Sequence, residues 1–329
     1  MHGTQSRSCG GAVPTPHGLG SCGRRGVSAP CSNIKGMQTS RVLLDAATLR
    51  EVLPALGCGA VEVLDQTTST NSELAEQVRA ALAAGEEVPE FSVLFAEEQT
   101  QGRGRLDRAW GAPRSSQLIV SVAVRLPGVD VATRLGLLPL LTGVAAVDAV
   151  RAVSRAAGAE VPAELKWPND VMVDGRKLAG ILVEAVQLGP EPIVVIGLGL
   201  NVDLQRSELP VPHATSLVLE GMPGDQESTE DGPGVRTRLA IALIDELVGG
   251  LRRFIQLGGA PQSVLPRYRQ VVLTLGTKVV VHLPDGTTTH GVARDVAGTG
   301  ALVVDVDGGG ELVVAAGDVT HLRPAEGES

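Results

Sequence analysis

Apolar residues recur at helical spacing in two segments of this chain. Thr70 and Glu73 match a capping-box pattern, the following apolar residues return every three or four positions, and Gly85 favours a helix end. Residues 238–257 place one apolar stripe along a single helical face, which predicts an amphipathic helix packed on a core. The stripe consists of Leu239, Leu243, Leu247, Leu251 and Phe254.

Residues 137–157 differ from both of these segments because they are apolar on nearly every face. The pattern predicts a buried helix that Gly158 ends, with Pro139 in its first turn, where the missing N–H does no harm. We judge that no apolar run approaches the roughly 20 residues that a membrane-spanning helix needs. We therefore expect a soluble, cytoplasmic protein.

Short runs of apolar or alternating residues predict six strands between residues 61 and 202. Asp174 and Gly175 separate two of these runs and give a hairpin signal. Because the last three strands follow one another without room for crossover helices, the sheet should be mixed or antiparallel. The predicted strands are residues 61–63, 91–96, 117–124, 170–173, 177–186 and 193–202.

The character of the chain changes after Val271. Short valine-rich runs alternate with glycine and with a Pro-Asp-Gly turn, which predicts a small β-barrel of four or five strands. The acidic, Gly- and Pro-rich residues 221–235 predict a mobile surface loop. We divide the chain into a disordered extension at 1–40, a catalytic domain at 41–268 and a C-terminal barrel domain at 269–329.

Composition narrows the class of protein. The chain has 329 residues, enough for two domains, and its net charge of −9 argues against a general nucleic-acid binder. Aromatic residues make up only 2%, so the core must consist of aliphatic side chains. Residues 1–35 lack acidic residues and apolar periodicity, which predicts disorder and leaves Met37 as an alternative start.

Cysteine spacing gives no evidence of a metal or redox site. Cys9, Cys22, Cys31 and Cys58 match neither a common zinc pattern nor a CxxC pair. We expect free thiols in a reducing cytosol and no protein-bound structural metal. The histidines at 213, 282, 290 and 321 also form no pattern, so each is expected to be a surface or hydrogen-bonded residue.

The strongest candidate for chemistry is the loop at residues 102–110. Its arginine side chains donate in a planar fork that suits phosphate and carboxylate oxygens, and its tryptophan offers a flat face on which a purine can stack. A solvated basic loop is the alternative for this string alone. The loop residues of interest are Gly102, Arg103, Gly104, Arg105, Arg108 and Trp110.

Two later strings carry the other candidate cations. Lys166 precedes a Trp-Pro corner followed by Asn169 and Asp170, and Lys177 begins the string KLAGIL. Plain core packing is the expected role of the Trp167 ring. Glycine weakens a strand, so glycines in adjoining strands indicate a bound ligand or a close crossing. These glycines are Gly180, Gly197 and Gly199.

Taken together and in this order, the strings resemble the biotin protein ligase family, also called biotin–[acetyl-CoA-carboxylase] ligases. The resemblance runs from about Val61 to the C-terminus. It is to the form without an N-terminal DNA-binding domain, because the first residues are too polar and glycine-rich for a winged helix. The matching strings are TSTN at 68–71, EQ at 98–99, GRGRxxRxW at 102–110, KWPND at 166–170, GRKLAGIL at 175–182, GLGLN at 197–201 and ATSL at 214–217.

The resemblance implies an α+β fold. A mixed or antiparallel sheet with flanking helices would form a class II synthetase-like catalytic domain, followed by an SH3-like barrel. It implies that ATP, with Mg²⁺, activates biotin as biotinyl-5′-AMP, and that biotin passes to a lysine of a biotin carboxyl carrier domain. No DNA or membrane partner is expected, and the protein would be a monomer or a homodimer.

The resemblance also assigns site residues. Lys166, Lys177, Arg103 and Arg105 would be catalytic, with the two arginines nearest the biotin carboxylate and the activated phosphate. Trp110 would pack near the adenine. The remaining binding residues would be Ser69, Thr70 and Asn71 at the ureido ring, Gln99 beside them, Gly180, Gly197 and Gly199 at the bicyclic ring, Asn169 and Asp170 at nucleotide or Mg²⁺, and Asn201 at the adenylate, with Gly102, Gly104 and Arg108 in the loop.

Two other functions remain open at this point. A lipoate ligase or transferase shares the fold and the lysine target, although the KWPND and GRGRxxRxW strings argue against it. A biotin-sensing protein without catalysis is a second alternative, against which the intact set of cations argues. The segment 69–71 could also be nothing more than a helix N-terminus.

Overall fold

The computed structural model describes residues 41–224, 232–283, 286–315 and 318–321, apart from the side chains of Asp107 and Asp318. The predicted disorder of residues 1–40 and the central part of the predicted loop at 221–235 lie outside these ranges. Of the four cysteines, Cys58 lies within them. Its thiol is free and buried, and burial raises its pKa to about 11.

A seven-stranded sheet forms the centre of the fold, in the order β1-β2-β3-β7-β6-β5-β4. β1 and β2 pair in parallel and all other neighbours pair antiparallel, which confirms the prediction of a mixed sheet. The predicted strands are confirmed within one or two residues, and β4 is an additional short strand. The strands are β1 Ala60–Leu64, β2 Ser92–Ala96, β3 Gln117–Arg125, β4 Ala163–Lys166, β5 Asp170–Val173, β6 Arg176–Gln187 and β7 Ile193–Asn201.

Helices cover both faces of this sheet. The buried residues of α2 pack with apolar side chains from one face of the sheet, and those of α4 and α5 pack with the other. The predicted apolar stripe of α5 is buried along its length, although the helix begins at Val235, three residues before the prediction. The helices are α1 Ala46–Val52, α2 Thr70–Ala84, α3 Val131–Arg134, α4 Leu137–Ala156, α5 Val235–Gln256 and α6 Leu265–Val271.

The apolar helix α4 corrects one expectation. It spans 20 residues and, in length and composition, could cross a membrane, so the judgement that no apolar run approaches that length was wrong. In the fold, 72% of its most apolar window is buried inside the protein, against α5 and the sheet. A helix in the core of a folded protein can be as long and as apolar as a membrane-spanning one.

The start of α2 also differs from the prediction. Ser69 is the N-cap, and the backbone N–H of Thr70 donates to Oε1 of Gln99 at 2.7 Å. The carboxylate of Glu73 accepts a long bond from Thr67 Oγ1 at 3.5 Å, so the capping box of Thr70 and Glu73 does not form. The acceptor comes from Gln99, 29 residues along the chain, where no local capping pattern can reveal it.

The hairpin between β5 and β6 matches the prediction. Asp174 and Gly175 both have positive φ, at 48° and 73°, as a two-residue type I′ turn requires. The turn brings Lys177 on β6 back beside Asp170 on β5. Local turn chemistry thus places two charged residues of the KWPND and KLAGIL strings next to each other.

The C-terminal strands form a second sheet in the order β11-β10-β9-β8-β12, with every pair antiparallel. The number of strands matches the prediction of four or five. Among the residues described, β11 and β12 lie at opposite edges and are not paired, so the sheet is open where a closed barrel was expected. The strands are β8 Lys278–His282, β9 Thr288–Val296, β10 Leu302–Val306, β11 Glu311–Val314 and β12 Asp318–His321.

Two hydrogen bonds fasten this second sheet to the turn between β4 and β5. The indole N–H of Trp167 donates to the carbonyl oxygen of Gly300 at 2.9 Å, and its backbone N–H donates to Thr274 Oγ1 at 3.0 Å. The Trp167 ring is 1% exposed, which confirms its predicted role in core packing. β12 is thereby held close to Lys166.

Candidate active site

A cavity of about 440 Å³ lies between the arginine loop at residues 102–110, strands β5 to β7 and strand β12. Fifteen of the seventeen predicted binding residues line it, and Gly102 and Asn201 do not. The four predicted catalytic residues, Arg103, Arg105, Lys166 and Lys177, all line it. Side chains that lie up to 74 positions apart in sequence therefore face one space.

Glycines form part of the cavity floor. Gly180 on β6 and Gly199 on β7 are directly opposite each other, and the Trp110 ring lies over both. A Cβ atom on Gly199 would lie 2.2 Å from Trp110 Nε1, closer than any real contact. The indole N–H is buried and has no hydrogen-bond partner among the described residues, so moving the ring would break no hydrogen bond of that group.

Asn71 covers the third glycine of the floor. Its Nδ2 donates to Glu184 Oε2 at 2.8 Å and its Oδ1 accepts from Ser121 Oγ at 2.7 Å. A Cβ atom on Gly197 would lie 2.1 Å from this Oδ1. The amide is therefore held in one orientation over Gly197, at the wall of the cavity.

Backbone hydrogen bonds fold the arginine loop onto itself. Gly102 O accepts from Trp110 N at 2.8 Å, and Gly104 N donates to Arg108 O at 2.7 Å. Side chains then fasten the loop to the sheet, because Arg105 donates to Asn169 Oδ1 at 3.2 Å and Arg103 to Glu184 at 3.1 Å. The loop closes one side of the cavity.

The two cavity lysines have different surroundings. Lys177 Nζ lies 2.6 Å from Asp170 Oδ1 and 5.4 Å from the centroid of the Trp110 ring. Its backbone is fixed by bonds to His213 O and from Thr215 N. Lys166 ends β4 and has no ion pair with any described residue. An unpaired ammonium facing a cavity is available to bind an anion.

Asn201 and Gly102 are the predicted binding residues that do not reach the cavity wall. Asn201 is 1% exposed, accepts from Gln117 Nε2 at 2.7 Å and donates to Thr215 O at 2.8 Å. It links β3 to the ATSL segment behind the site. A Cβ atom on Gly102 would lie 2.1 Å from Trp110 O, so this glycine permits a close backbone crossing within the loop.

The Biotin/lipoate A/B protein ligase family matches residues 63–201 of the chain. Over 282 residues, the chain is 42% identical to the biotin–[acetyl-CoA-carboxylase] ligase of Mycobacterium tuberculosis, which covers 85% of this chain and 96% of that protein. The chain belongs to the biotin protein ligase family. It is also 32% identical to the bifunctional ligase/repressor BirA of Escherichia coli over 80% of this chain and 76% of that protein.

The fold of this chain is similar to that of a solved structure. The biotin protein ligase from Aquifex aeolicus in complex with biotin and ATP matches 80% of this chain and 99% of its own, with a TM-score of 0.59. The two sequences are 22% identical, so the likeness concerns the fold alone.

Several residues that line the cavity were not predicted from the sequence. Val319 and Thr320 reach the cavity from β12, more than 100 residues after the other lining strands, and no local pattern marks them. Glu184, two residues after the KLAGIL string, was not predicted either; it does not line the cavity but contacts Asn71 and Arg103, which do. The other unpredicted lining residues include Ile119, Met172, Pro210, Val211 and His213.

His321 gives a prediction about stability and pH. Its Nε2 lies 3.1 Å from Thr274 Oγ1, and burial, assisted by the positive charge of Lys166, lowers its pKa to about 4. The unfolded chain takes up this proton near pH 6.5, so acidification from about 6.5 towards 4 favours unfolding. This group contributes its full stability above pH 6.5.

We expect His321→Asn to flatten the fall in unfolding free energy between pH 7 and pH 4.5 by about 1–2 kcal/mol, since the ring is only half buried. Urea unfolding at both pH values measures this difference for the wild type and the variant. Equal pH dependence in the two proteins would show that His321 does not titrate in this window.

Proposed function

We propose that the protein is an ATP-dependent biotin protein ligase. It activates biotin as biotinyl-5′-AMP and transfers the biotin to one lysine of a biotin carboxyl carrier domain of an acetyl-CoA or acyl-CoA carboxylase. The observation that carries the proposal is that Arg103, Arg105, Lys166 and Lys177 line one cavity with a glycine floor. Together these groups suit a carboxylate, a phosphate and a flat ring.

The first step needs positive charge at the α-phosphate. A biotin carboxylate oxygen attacks this phosphorus, the bond to the β-phosphate oxygen breaks, and pyrophosphate leaves with the electron pair. Preorganised cations stabilise the charge that develops, and they act more strongly where water is excluded. Lys177 contacts Asp170 and Arg105 contacts Asn169, two neighbouring residues of the KWPND string, which supports a position for both cations near the α-phosphate.

The second step uses the same cavity. The neutral amine of the acceptor lysine attacks the carbonyl carbon of the mixed anhydride, the bond from that carbon to the phosphate oxygen breaks, and AMP leaves with the electron pair. The nitrogen releases one proton to solvent as the amide forms. Lys177 would stabilise the departing phosphate. Water competes with the amine for this intermediate, so a loop that covers the cavity is a chemical requirement of the reaction. Gly102–Trp110 supplies that cover.

Polar groups at the start of α2 would recognise biotin. Its ureido ring presents N–H donors and one carbonyl acceptor, and Ser69, Thr70, Asn71 and Gln99 offer both kinds of partner within the cavity. The apolar bicyclic ring would lie against Gly197. Trp110 would leave Gly180 and Gly199 and pack on the adenine, since its ring gives up only van der Waals contacts and a weak cation–π contact.

Mg²⁺ would accompany the nucleotide. The described residues contain no group of three or more His, Cys, Asp or Glu side chains placed to hold a metal ion. Asp170 is the one carboxylate among the described cavity residues, which fits a Mg²⁺ held chiefly by phosphate oxygens and water. The ion would neutralise charge on the leaving pyrophosphate.

The domain division belongs to the same proposal. The first sheet with its helices would be the class II synthetase-like catalytic domain of residues 41–268. The order of the second sheet, in which the last strand pairs with the first, supports an SH3-like barrel. The proposed boundary at 268/269 falls inside α6. We place the protein in the cytoplasm, without DNA or membrane partners.

Purified protein with ATP, Mg²⁺ and either biotin or lipoate tests the proposal. Pyrophosphate release with biotin, followed by labelling of an acceptor carrier domain, is the expected result. Release with lipoate alone would identify a lipoate ligase, and binding of biotin without release would identify a sensor.

Gly197→Ala is expected to raise the KM for biotin by roughly tenfold or more, because the added methyl group displaces a hydrogen-bonded amide that cannot retreat freely. Pyrophosphate release at varied biotin measures the effect. Gly249→Ala in α5 is the matched control, since a Cβ there meets nothing within 4 Å. An unchanged KM for Gly197→Ala would remove Asn71 and Gly197 from the biotin site.

A further inference from the structure

Glu184 connects two parts of the site that are otherwise separate. It lies on β6, opposite Val195 of β7, two residues beyond the KLAGIL string. Its carboxylate accepts from Asn71 Nδ2 at 2.8 Å and from the Arg103 guanidinium at 3.1 Å. One side chain thus holds both the first turn of α2 and the arginine loop.

The bond to Asn71 determines how that amide faces. Asn71 is 4% exposed, and its Oδ1 accepts from Ser121 Oγ, a hydroxyl that is itself fully buried. Its Nδ2 therefore needs an acceptor on the other side. The carbonyl oxygen of Leu182 is a long partner at 3.3 Å, and the Glu184 carboxylate is the short one. A charged acceptor makes the stronger bond of the two.

The contact with Arg103 positions the loop. One guanidinium nitrogen of Arg103 reaches both Glu184 and Ser72 Oγ at 3.0 Å, which ties the loop to β6 and to α2. The side chains of Arg103 and Glu184 are 43% and 32% exposed, so their ion pair adds little to the stability of the whole protein. The ion pair instead determines the position of the arginine loop, in which Gly102 and Gly104 flank Arg103.

We propose that Glu184 is a positioning residue for the biotin half of the site. It fixes the orientation of the Asn71 amide and fastens the arginine loop over the cavity, without itself lining that cavity among the described residues. The part that concerns biotin rests on the proposed function. The fastening of the loop does not.

Kinetics of pyrophosphate release test the effect on biotin. Glu184→Ala removes both contacts and should raise the KM for biotin about tenfold with less than about twofold change in the KM for ATP. Glu184→Gln keeps an acceptor for Asn71 and should raise the KM for biotin about threefold. Glu191→Ala is the matched control, because it removes the same charge from the β6–β7 connection away from the cavity.

A second substitution separates positioning from a general structural role. In an Asn71→Ala background, Glu184→Ala should change the KM for biotin less than it does in the wild type, since the amide it orients is gone. An equal effect in both backgrounds, or a wild-type KM in Glu184→Ala, would overturn the biotin part of the proposal.

Limited proteolysis tests the loop without any substrate. Trypsin cuts after arginine, and Glu184→Ala should speed cleavage at Arg103, Arg105 and Arg108 several-fold while other sites keep their rates. Equal loop cleavage in the variant and the wild type would overturn the fastening. If the wild-type protein releases no pyrophosphate with biotin, the proposed function fails, and this comparison still decides the role of Glu184 in holding the loop.

Discussion

Replacing either Lys166 or Lys177 with methionine is expected to slow biotin-dependent pyrophosphate release by about 10²–10³-fold. Each ammonium faces the cavity where negative charge develops on the phosphate, and water that enters a partly closed site cannot replace a fixed charge. Lys177 should have the larger effect on kcat because its ion pair with Asp170 holds it in place. Arg105→Ala is expected to behave similarly.

Lys278→Met is the control for this pair. Lys278 begins β8, is exposed and is the third of the three lysines in the described part of the chain. The Lys278→Met variant should release pyrophosphate with wild-type kinetics. Circular dichroism and thermal unfolding of all three variants check that the fold is retained. Wild-type pyrophosphate release in Lys166→Met or Lys177→Met would remove that lysine from the mechanism.

Glu97→Ala is expected to lower the free energy of unfolding by about 3–5 kcal/mol. Glu97 and Arg236 form an ion pair at 2.7 Å with side chains that are 5% and 2% exposed. The carboxylate also accepts from Leu44 N at 2.6 Å and from Ser115 Oγ at 2.8 Å. Removing it leaves a buried guanidinium without its counter-charge and leaves a backbone N–H without its acceptor.

Urea unfolding at neutral pH measures this loss. The control is Asp295→Ala, which breaks an exposed ion pair. The side chains of Arg269 and Asp295 are 41% and 45% exposed, so this substitution should lower the free energy of unfolding by less than about 1 kcal/mol. Adding Arg236→Met to Glu97→Ala should recover part of the loss, because the unpaired charge is then gone. A Glu97→Ala variant within about 1 kcal/mol of the wild type would show that water or another group compensates the charge.

Elements governed by local chemistry were predictable from sequence. The Asp174-Gly175 turn could be recognised because both positions need positive φ, and few other residues accept it. The buried stripe of α5 followed from its period alone. The convergence of Arg105, Lys166 and Lys177 followed from the family resemblance, since no spacing in the chain fixes the distance between those strings.

Features that depend on distant partners were not predictable. Gln99 caps α2 in place of the Glu73 side chain, and β12 brings Val319 to the cavity from the second sheet. Asn201 was expected at the adenylate but lies behind the wall, where an amide joins two segments. The short helix α6 falls at the proposed domain boundary, and its seven residues carry too little periodicity to identify it.

The most direct test of a shared cavity for biotin and nucleotide is a crystal structure of the protein with biotinyl-5′-AMP. We expect the ureido ring beside Asn71, the acyl phosphate within hydrogen-bond distance of Lys177 and Arg105, and the Trp110 ring moved from the glycine floor onto the adenine. Adenylate bound elsewhere, with Trp110 still over Gly199 and neither cation in contact with the phosphate, would contradict the proposed site.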